Sequence, residues 1–216
     1  MKNGISTDLD VTNSAACLKQ AGIDFVFRYY STTTTLSQKR LTLSEADAII
    51  AAGLMIGIVY EDGPTLASYF TNARGVQDAT NAFNTAISLG QPSGSAIYFT
   101  VDYDASADEI SGPILDYFNG VNQGLQSASA GGAVTFAIGV YGSGDVCAFI
   151  KGQSGIAKYS WLSESTGFSG SAAYSAWDVD QAVPTADICA FTANPPTYEE
   201  NQALDDFGGF AALNAD

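Results

Sequence analysis

Three times in the first hundred residues one pattern recurs: a helical stretch, a closing glycine, then an apolar run rich in β-branched and aromatic residues. Residues 13–21 read as a helix closed by Gly22, and residues 24–30, centred on Phe25-Val26-Phe27, read as a strand. Leu41-Thr42-Leu43-Ser44-Glu45-Ala46 opens a second helix, with Thr42 and Glu45 in capping-box spacing; Gly53 closes it before a strand over 54–60. An alanine-rich helix over 76–89 ends at Gly90, ahead of the run Ala96-Ile97-Tyr98-Phe99-Thr100-Val101. Strands apolar on both faces are the kind that a parallel sheet buries, and each parallel crossover needs a helix.

The rest of the chain continues the alternation. Residues 4–6 supply a first strand, and Ile110, Ile114, Leu115, Phe118, Val121 and Leu125 give residues 107–128 a helical period. Strands are expected at 135–141, 157–162, 174–177 and 187–191, with a short helix through Ile150 and a closing helix over 198–213. About eight strand–helix repeats at roughly 25-residue spacing predict an α/β fold, a single (β/α)8 TIM barrel spanning residues 1–216 as one domain. A doubly wound open sheet is the alternative.

The composition narrows the chemistry. No histidine is present, which removes Ser-His-Asp and Cys-His catalysis and the usual zinc ligand. No metal site and no cofactor are expected. Eight Lys and Arg against 23 Asp and Glu give a net charge of −15, which repels nucleic acid and anionic lipid. No apolar stretch reads as a signal core or a membrane span, so neither a membrane-inserted segment nor a classical export signal is expected; action on a cell wall would require a non-classical route. Cys17, Cys147 and Cys189 are odd in number and lack CxxC spacing, which fits buried free thiols better than a disulfide.

What remains is carboxylate chemistry. The strand at 96–101 runs into Asp102-Tyr103-Asp104. If the extended backbone continues, both carboxylates face one way with Cα atoms roughly 6–7 Å apart. Like charges that close raise one pKa and leave a proton donor beside an ionised neighbour. The plainer reading makes Asp104 a cap for the next helix. Asp8, Arg28, Tyr30, Glu61, Tyr141, Trp161 and Gln181 also fall at or just past expected strand ends, which in a barrel meet at one mouth; Trp177 is a further aromatic at a strand end. Carboxylates with aromatic faces suit a sugar, because two carboxyl groups suffice for acid-assisted glycoside cleavage. Glu61 could instead pair with Arg28, and Asp8 and Asp10 could cap the first helix.

Ordered segments of the chain resemble the glycoside hydrolase-like domain family (domain of unknown function 1906), a relative of the family 25 lysozymes. They are Ala21-Gly22-Ile23-Asp24-Phe25-Val26-Phe27-Arg28-Tyr29-Tyr30, Val59-Tyr60-Glu61, Ile97-Tyr98-Phe99-Thr100-Val101-Asp102-Tyr103-Asp104, Gly139-Val140-Tyr141-Gly142-Ser143-Gly144 and Ser160-Trp161-Leu162. The resemblance implies a (β/α)8 barrel acting on peptidoglycan or a related glycan; separately, a monomer is expected. It casts Asp104 as general acid, Asp102 as stabiliser of the developing positive charge and Glu61 as a further catalytic carboxylate. Asp187 resembles the acid of the last strand. The acid position holds Asp104 rather than Glu, and Gly4-Ile5-Ser6 places Ser6 where the family's first-strand acid stands, so that acid is either missing or supplied by Asp8. The expected activity is lysozyme-like cleavage of a β-1,4 glycosidic bond; the alternative is a catalytically inactive glycan-binding barrel.

Overall fold

The computed structural model describes every residue except Gly131, Ala133, Ala215 and Asp216. Eight strands close into a barrel in sequence order: β1 (Lys2–Ser6), β2 (Phe25–Tyr30), β3 (Met55–Tyr60), β4 (Ala96–Thr100), β5 (Ala137–Gly142), β6 (Tyr159–Leu162), β7 (Val179–Ala182) and β8 (Glu199–Ala203). The expected barrel is the observed fold. Strands β1 to β7 run parallel, while β8 runs antiparallel to both β7 and β1.

Strand alternation sorts the side chains into two layers. Phe25 and Phe27 of β2, Tyr98 of β4, Tyr159 and Trp161 of β6 and Val179 of β7 fill the interior with Phe207. Phe27 is the hub: its ring stacks on Trp161 with centroids 4.1 Å apart and meets Tyr98 edge-on at 5.3 Å. Rings this large fit because the neighbouring strand offers glycine. A Cβ on Gly57 would lie 2.6 Å from Phe27, and one on Gly139 would lie 2.4 Å from Tyr98. The alternate residues, such as Val26, Ile56, Ile58, Ile97, Phe99 and Val140, point outward into the layer beneath the helices.

The helices α1 (Ala15–Gln20), α2 (Leu43–Ala51), α3 (Asn72–Ser88), the three-residue α4 (Ala107–Glu109), α5 (Leu115–Ala128) and α6 (Gly144–Cys147) cover the β1–β6 side. One turn of π-helix around Pro113, Ile110–Ile114, joins α4 to α5. Helix α5 crosses α3 closely: a Cβ on Gly120 would stand 2.1 Å from the Asn72 carbonyl oxygen. No described helix is long and apolar enough to cross a membrane.

The last third departs from the expected repeat. Strand β7 lies at Val179–Ala182 rather than 174–177, residues 187–191 form no strand of the barrel, and β8 occupies the start of the expected closing helix. The cysteine reading is corrected as well: Cys17 and Cys189 form a disulfide, while Cys147 is a buried free thiol. Ring closure puts β1 beside β8, and so brings α1 against the β7–β8 connection across 172 residues of chain. Because β8 is antiparallel, Lys2 pairs with Ala203, so β1 begins and β8 ends on the side of the barrel opposite the mouth.

Candidate active site

The mouth is where the parallel strands end. Interior side chains there form the top layer of the barrel filling, and that layer is polar. Tyr29 from β2, Glu61 after β3, Thr100 and Asp102 at the end of β4, Tyr141 from β5 and Gln181 from β7 line a cavity of about 220 Å³ above a floor of Val59 and Trp161. Glu164 and Glu199 complete it, so four carboxylates converge on one cavity.

Glu199 arrives because β8 is reversed, which puts the first residue of that strand at the mouth opposite Ser6. Its Oε2 accepts a 3.0 Å hydrogen bond from the Ser6 hydroxyl. Ser6 in turn accepts from Gln181 Nε2 (3.3 Å) and Asn201 Nδ2 (3.0 Å), and Gln181 Oε1 accepts from Tyr141 OH (2.9 Å) and the Glu164 backbone N–H (3.2 Å). This network pins the carboxylate wall from β5 round to β1. Burial pushes the Glu199 carboxyl up to about 7 against the Ser6 hydrogen bond, with the negative charges of Glu164, Asp8 and Glu61 adding to the rise. Asp102 stays partly open to solvent at the rim, yet burial among its neighbours and then the Glu61 charge raise its carboxyl too.

Glu61 has its own counter-ion. Lys39 Nζ lies 2.8 Å from Glu61 Oε1 and 4.3 Å from the centre of the Tyr29 ring. A turn at Ser37–Lys39 delivers this lysine, and the threonine-rich stretch before it is folded around Asp62. Burial alone would raise the Asp62 carboxyl, but hydrogen bonds from Ser31, Thr32, Tyr60 and Thr33 hold it well below the usual carboxylate range.

Of the residues singled out from the sequence, Glu61, Asp102, Tyr141, Trp161 and Gln181 share this cavity. Asp104 does not. Strand β4 stops at Thr100, the Asp102 N–H turns to the Pro64 carbonyl at 3.0 Å, and the Asp104 carboxylate accepts from Ser169 N–H at 2.7 Å on the exposed surface. The alternation that would align the two acids therefore lapses before it reaches them. Asp104 is not the helix cap either, since Ser106 holds that place at α4.

Arg28 and Tyr30 alternate with Phe25, Phe27 and Tyr29, so they face outward. Arg28 is fully buried; its Nε lies 2.6 Å from Glu45 Oε1, and it also bonds the Thr7 and Gln38 carbonyls. The expected pairing with Glu61 is replaced by Glu45. That carboxylate accepts from Val11 N–H at 2.9 Å rather than from the Thr42 backbone, leaving half a capping box in which Thr42 Oγ1 accepts from Glu45 N–H. Tyr30 is buried with its hydroxyl donated to Gln91 Oε1 at 2.9 Å. Asp8 is half-buried near the mouth without lining the cavity, and Asp10 caps a turn by accepting from Thr12 N–H at 2.8 Å. Asp187 is exposed on the β7–β8 connection and accepts from Ala193 N–H at 2.8 Å. Trp177 lines a neighbouring cavity.

Sequence reading passes over Lys39, Glu164 and Glu199, and sets Tyr29 at a strand end beside Arg28 and Tyr30 without giving it a role. The alternation of Phe25, Phe27 and Tyr29 marks it as the inward one of the three. Nothing in the polar run Glu199-Glu200-Asn201-Gln202 marks a strand.

Chemically, the mouth offers three carboxyl groups raised by burial, Asp102, Glu164 and Glu199, and a fourth, Glu61, paired with Lys39, all over an aromatic floor. Residues 16–209 match the family described as the Rv2525c-like, glycoside hydrolase-like domain. The chain is 36% identical over 178 residues to the uncharacterized protein YbfG of Bacillus subtilis, an alignment that takes in 77% of this chain and 24% of that one. The chain thus spans about a quarter of the length of this curated relative. Among solved structures, the Mycobacterium tuberculosis Tat-secreted protein Rv2525c superposes with a TM-score of 0.76 at 21% identity, over 98% of this chain and 99% of that one. A family 25 glycosyl hydrolase from Bacillus anthracis superposes with a TM-score of 0.58 at 10% identity, over 95% and 90%.

Proposed function

Because the chain belongs to the Rv2525c-like, glycoside hydrolase-like family, we propose that its barrel mouth cleaves β-1,4 glycosidic bonds of bacterial cell-wall peptidoglycan by carboxylate acid–base catalysis. The observation that carries this reading is the convergence of Glu61, Asp102 and Glu199, from β3, β4 and β8, on one cavity floored by Trp161. Glycoside cleavage needs a protonated acid at the leaving oxygen and an anionic group facing the oxocarbenium-like centre. Glu199, protonated below about pH 7, is the donor. Asp102 on the opposite wall stabilises the positive charge, and Glu61, steadied by Lys39, adds to the negative field there. Tyr141, half-buried above the Trp161 floor, presents ring surface to the sugar. Asp104 has no part in this scheme.

Two observations favour the alternative of a glycan-binding barrel without cleavage: Ser6 stands at the first-strand position, and Glu61 is held in an ion pair with Lys39. Release of new reducing ends from purified peptidoglycan separates the two. The hydrolase reading expects release by wild type, a loss of at least about 100-fold in Asp102→Asn and Glu199→Gln, and retention in Asp104→Asn. Loss in Asp104→Asn alone would overturn the residue assignment. Binding to peptidoglycan with no reducing ends released would establish the alternative.

A further inference from the structure

Ser6 is fully buried at the end of β1, directly across the ladder from Glu199. A hydroxyl has one proton to give and two lone pairs that accept. Both lone pairs of Ser6 Oγ are taken, by Gln181 Nε2–H at 3.3 Å and Asn201 Nδ2–H at 3.0 Å. Neither amide can be turned over without setting like atoms face to face. The Glu164 backbone N–H, which can only donate, meets Gln181 Oε1 at 3.2 Å. The Glu199 backbone carbonyl, which can only accept, meets Asn201 Nδ2 at 3.2 Å. The one proton of Ser6 is left for its remaining neighbour, Glu199 Oε2, 3.0 Å away.

This contact fixes more than the place of the carboxyl. A proton on Oε2 would point at a hydroxyl that already donates to that atom, putting two hydrogens in one gap. The other oxygen, Oε1, belongs to a residue that lines the cavity; it has no partner among the described residues and is not buried.

Building on the reading of Glu199 as the proton donor, we infer that Ser6 is its positioning residue: the forced direction of the Ser6 hydroxyl confines the acidic proton to Oε1, the oxygen open to the cavity. Gln181 and Asn201 act through Ser6, by leaving its hydroxyl no choice but to donate.

NMR titration of the glutamate carboxyl carbons in the whole chain tests the contact without requiring catalysis, the Glu199 signal being identified by its loss in Glu199→Gln. Ser6→Ala removes a hydrogen bond to the charged form, so Glu199 should titrate about one pH unit higher than in wild type. The groups that face Glu199 from other elements are common to both proteins: Asp8, Tyr29, Glu61, Asp102, Tyr141 and Glu164. On peptidoglycan, Ser6→Ala should lower kcat for reducing-end release about tenfold with KM changed less than about twofold, and should carry the alkaline limb of the pH profile up by about one unit. Ser6→Thr, which keeps a hydroxyl on the same carbon, should restore both. An unmoved titration in Ser6→Ala overturns the inference, and so does a moved titration with an undiminished kcat. A moved titration where wild type releases no reducing ends supports the proton placement and overturns the hydrolase reading alone.

Discussion

Replacing Glu199 with glutamine should make the protein more stable at neutral pH and less active at once. The carboxyl is half-buried, carries one hydrogen bond from Ser6 and is raised to about 7. In the unfolded chain a glutamate titrates near about 4.3. The folded value is the higher one, so as pH rises from about 4 the unfolded chain releases its proton first and stability falls. The full penalty is reached above about pH 7. A difference of about 2.7 units corresponds to nearly 4 kcal/mol, or about 3 kcal/mol once partial exposure is allowed for. The glutamine amide oxygen can still accept from Ser6 and does not titrate. Wild type and Glu199→Gln should therefore have similar stability at pH 4 and separate by about 3 kcal/mol at pH 8, a difference of roughly 6–12 °C in Tm for a chain of this size. Urea unfolding followed by tryptophan fluorescence across pH 4–8.5 measures it, with Asp102 and Glu164 common to both proteins. A difference that stays flat within about 0.5 kcal/mol across the range would show that Glu199 ionises as freely in the fold as out of it, and the proton-donor assignment would go with it.

Other perturbations test the frame around the site. Arg28→Met strands the Glu45 carboxylate in the outer layer and should cost about 3–5 kcal/mol in urea unfolding, with Arg28→Met/Glu45→Leu recovering much of the loss. Cys17→Ser opens a link across 172 residues, for which loop entropy gives up to about 5 kcal/mol; a fall in the urea midpoint matched by reductant on wild type, but not by reductant on the variant, is the expected signature. Gly120→Ala drives a methyl group into the Asn72 carbonyl and should destabilise by about 1–3 kcal/mol. Gly112→Ala, with nothing within 4 Å of the added atom, should be neutral or slightly stabilising in the same assay.

The strands that could be read from sequence were those buried on both faces and preceded by a glycine-closed helix, β2, β3 and β4 above all. Strand β8 was hidden for a physical reason. Its inward residues Glu199 and Asn201 meet the polar mouth, and its outward residues Glu200 and Gln202 face a groove beside α1 that no helix covers, so neither face shows an apolar stripe. Half of the mouth followed from strand ends alone, including Glu61, Asp102, Tyr141, Trp161 and Gln181. Assigning Arg28 and Tyr30 to the mouth counted strand ends without asking which face each residue takes, although Phe25 and Phe27 already marked the inner one. The Asp102–Asp104 pair failed by extending that alternation past the last ladder hydrogen bond. The disulfide had no local signature, because only closure of the barrel brings its cysteines together.

The reversed last strand also sets how such a barrel can be hung on other things. The N-terminal ammonium group lies 3.9 Å from Asp205, just past β8, and both sit at the pole opposite the carboxylate cavity. From Asp205 the chain runs on beneath the barrel, burying Phe207 and Phe210 and reaching the Gly90 carbonyl with Asn214 N–H at 2.7 Å. A linker or bead attached through the N-terminal amine therefore holds the barrel by the pole away from the carboxylate cavity and leaves that opening turned outward.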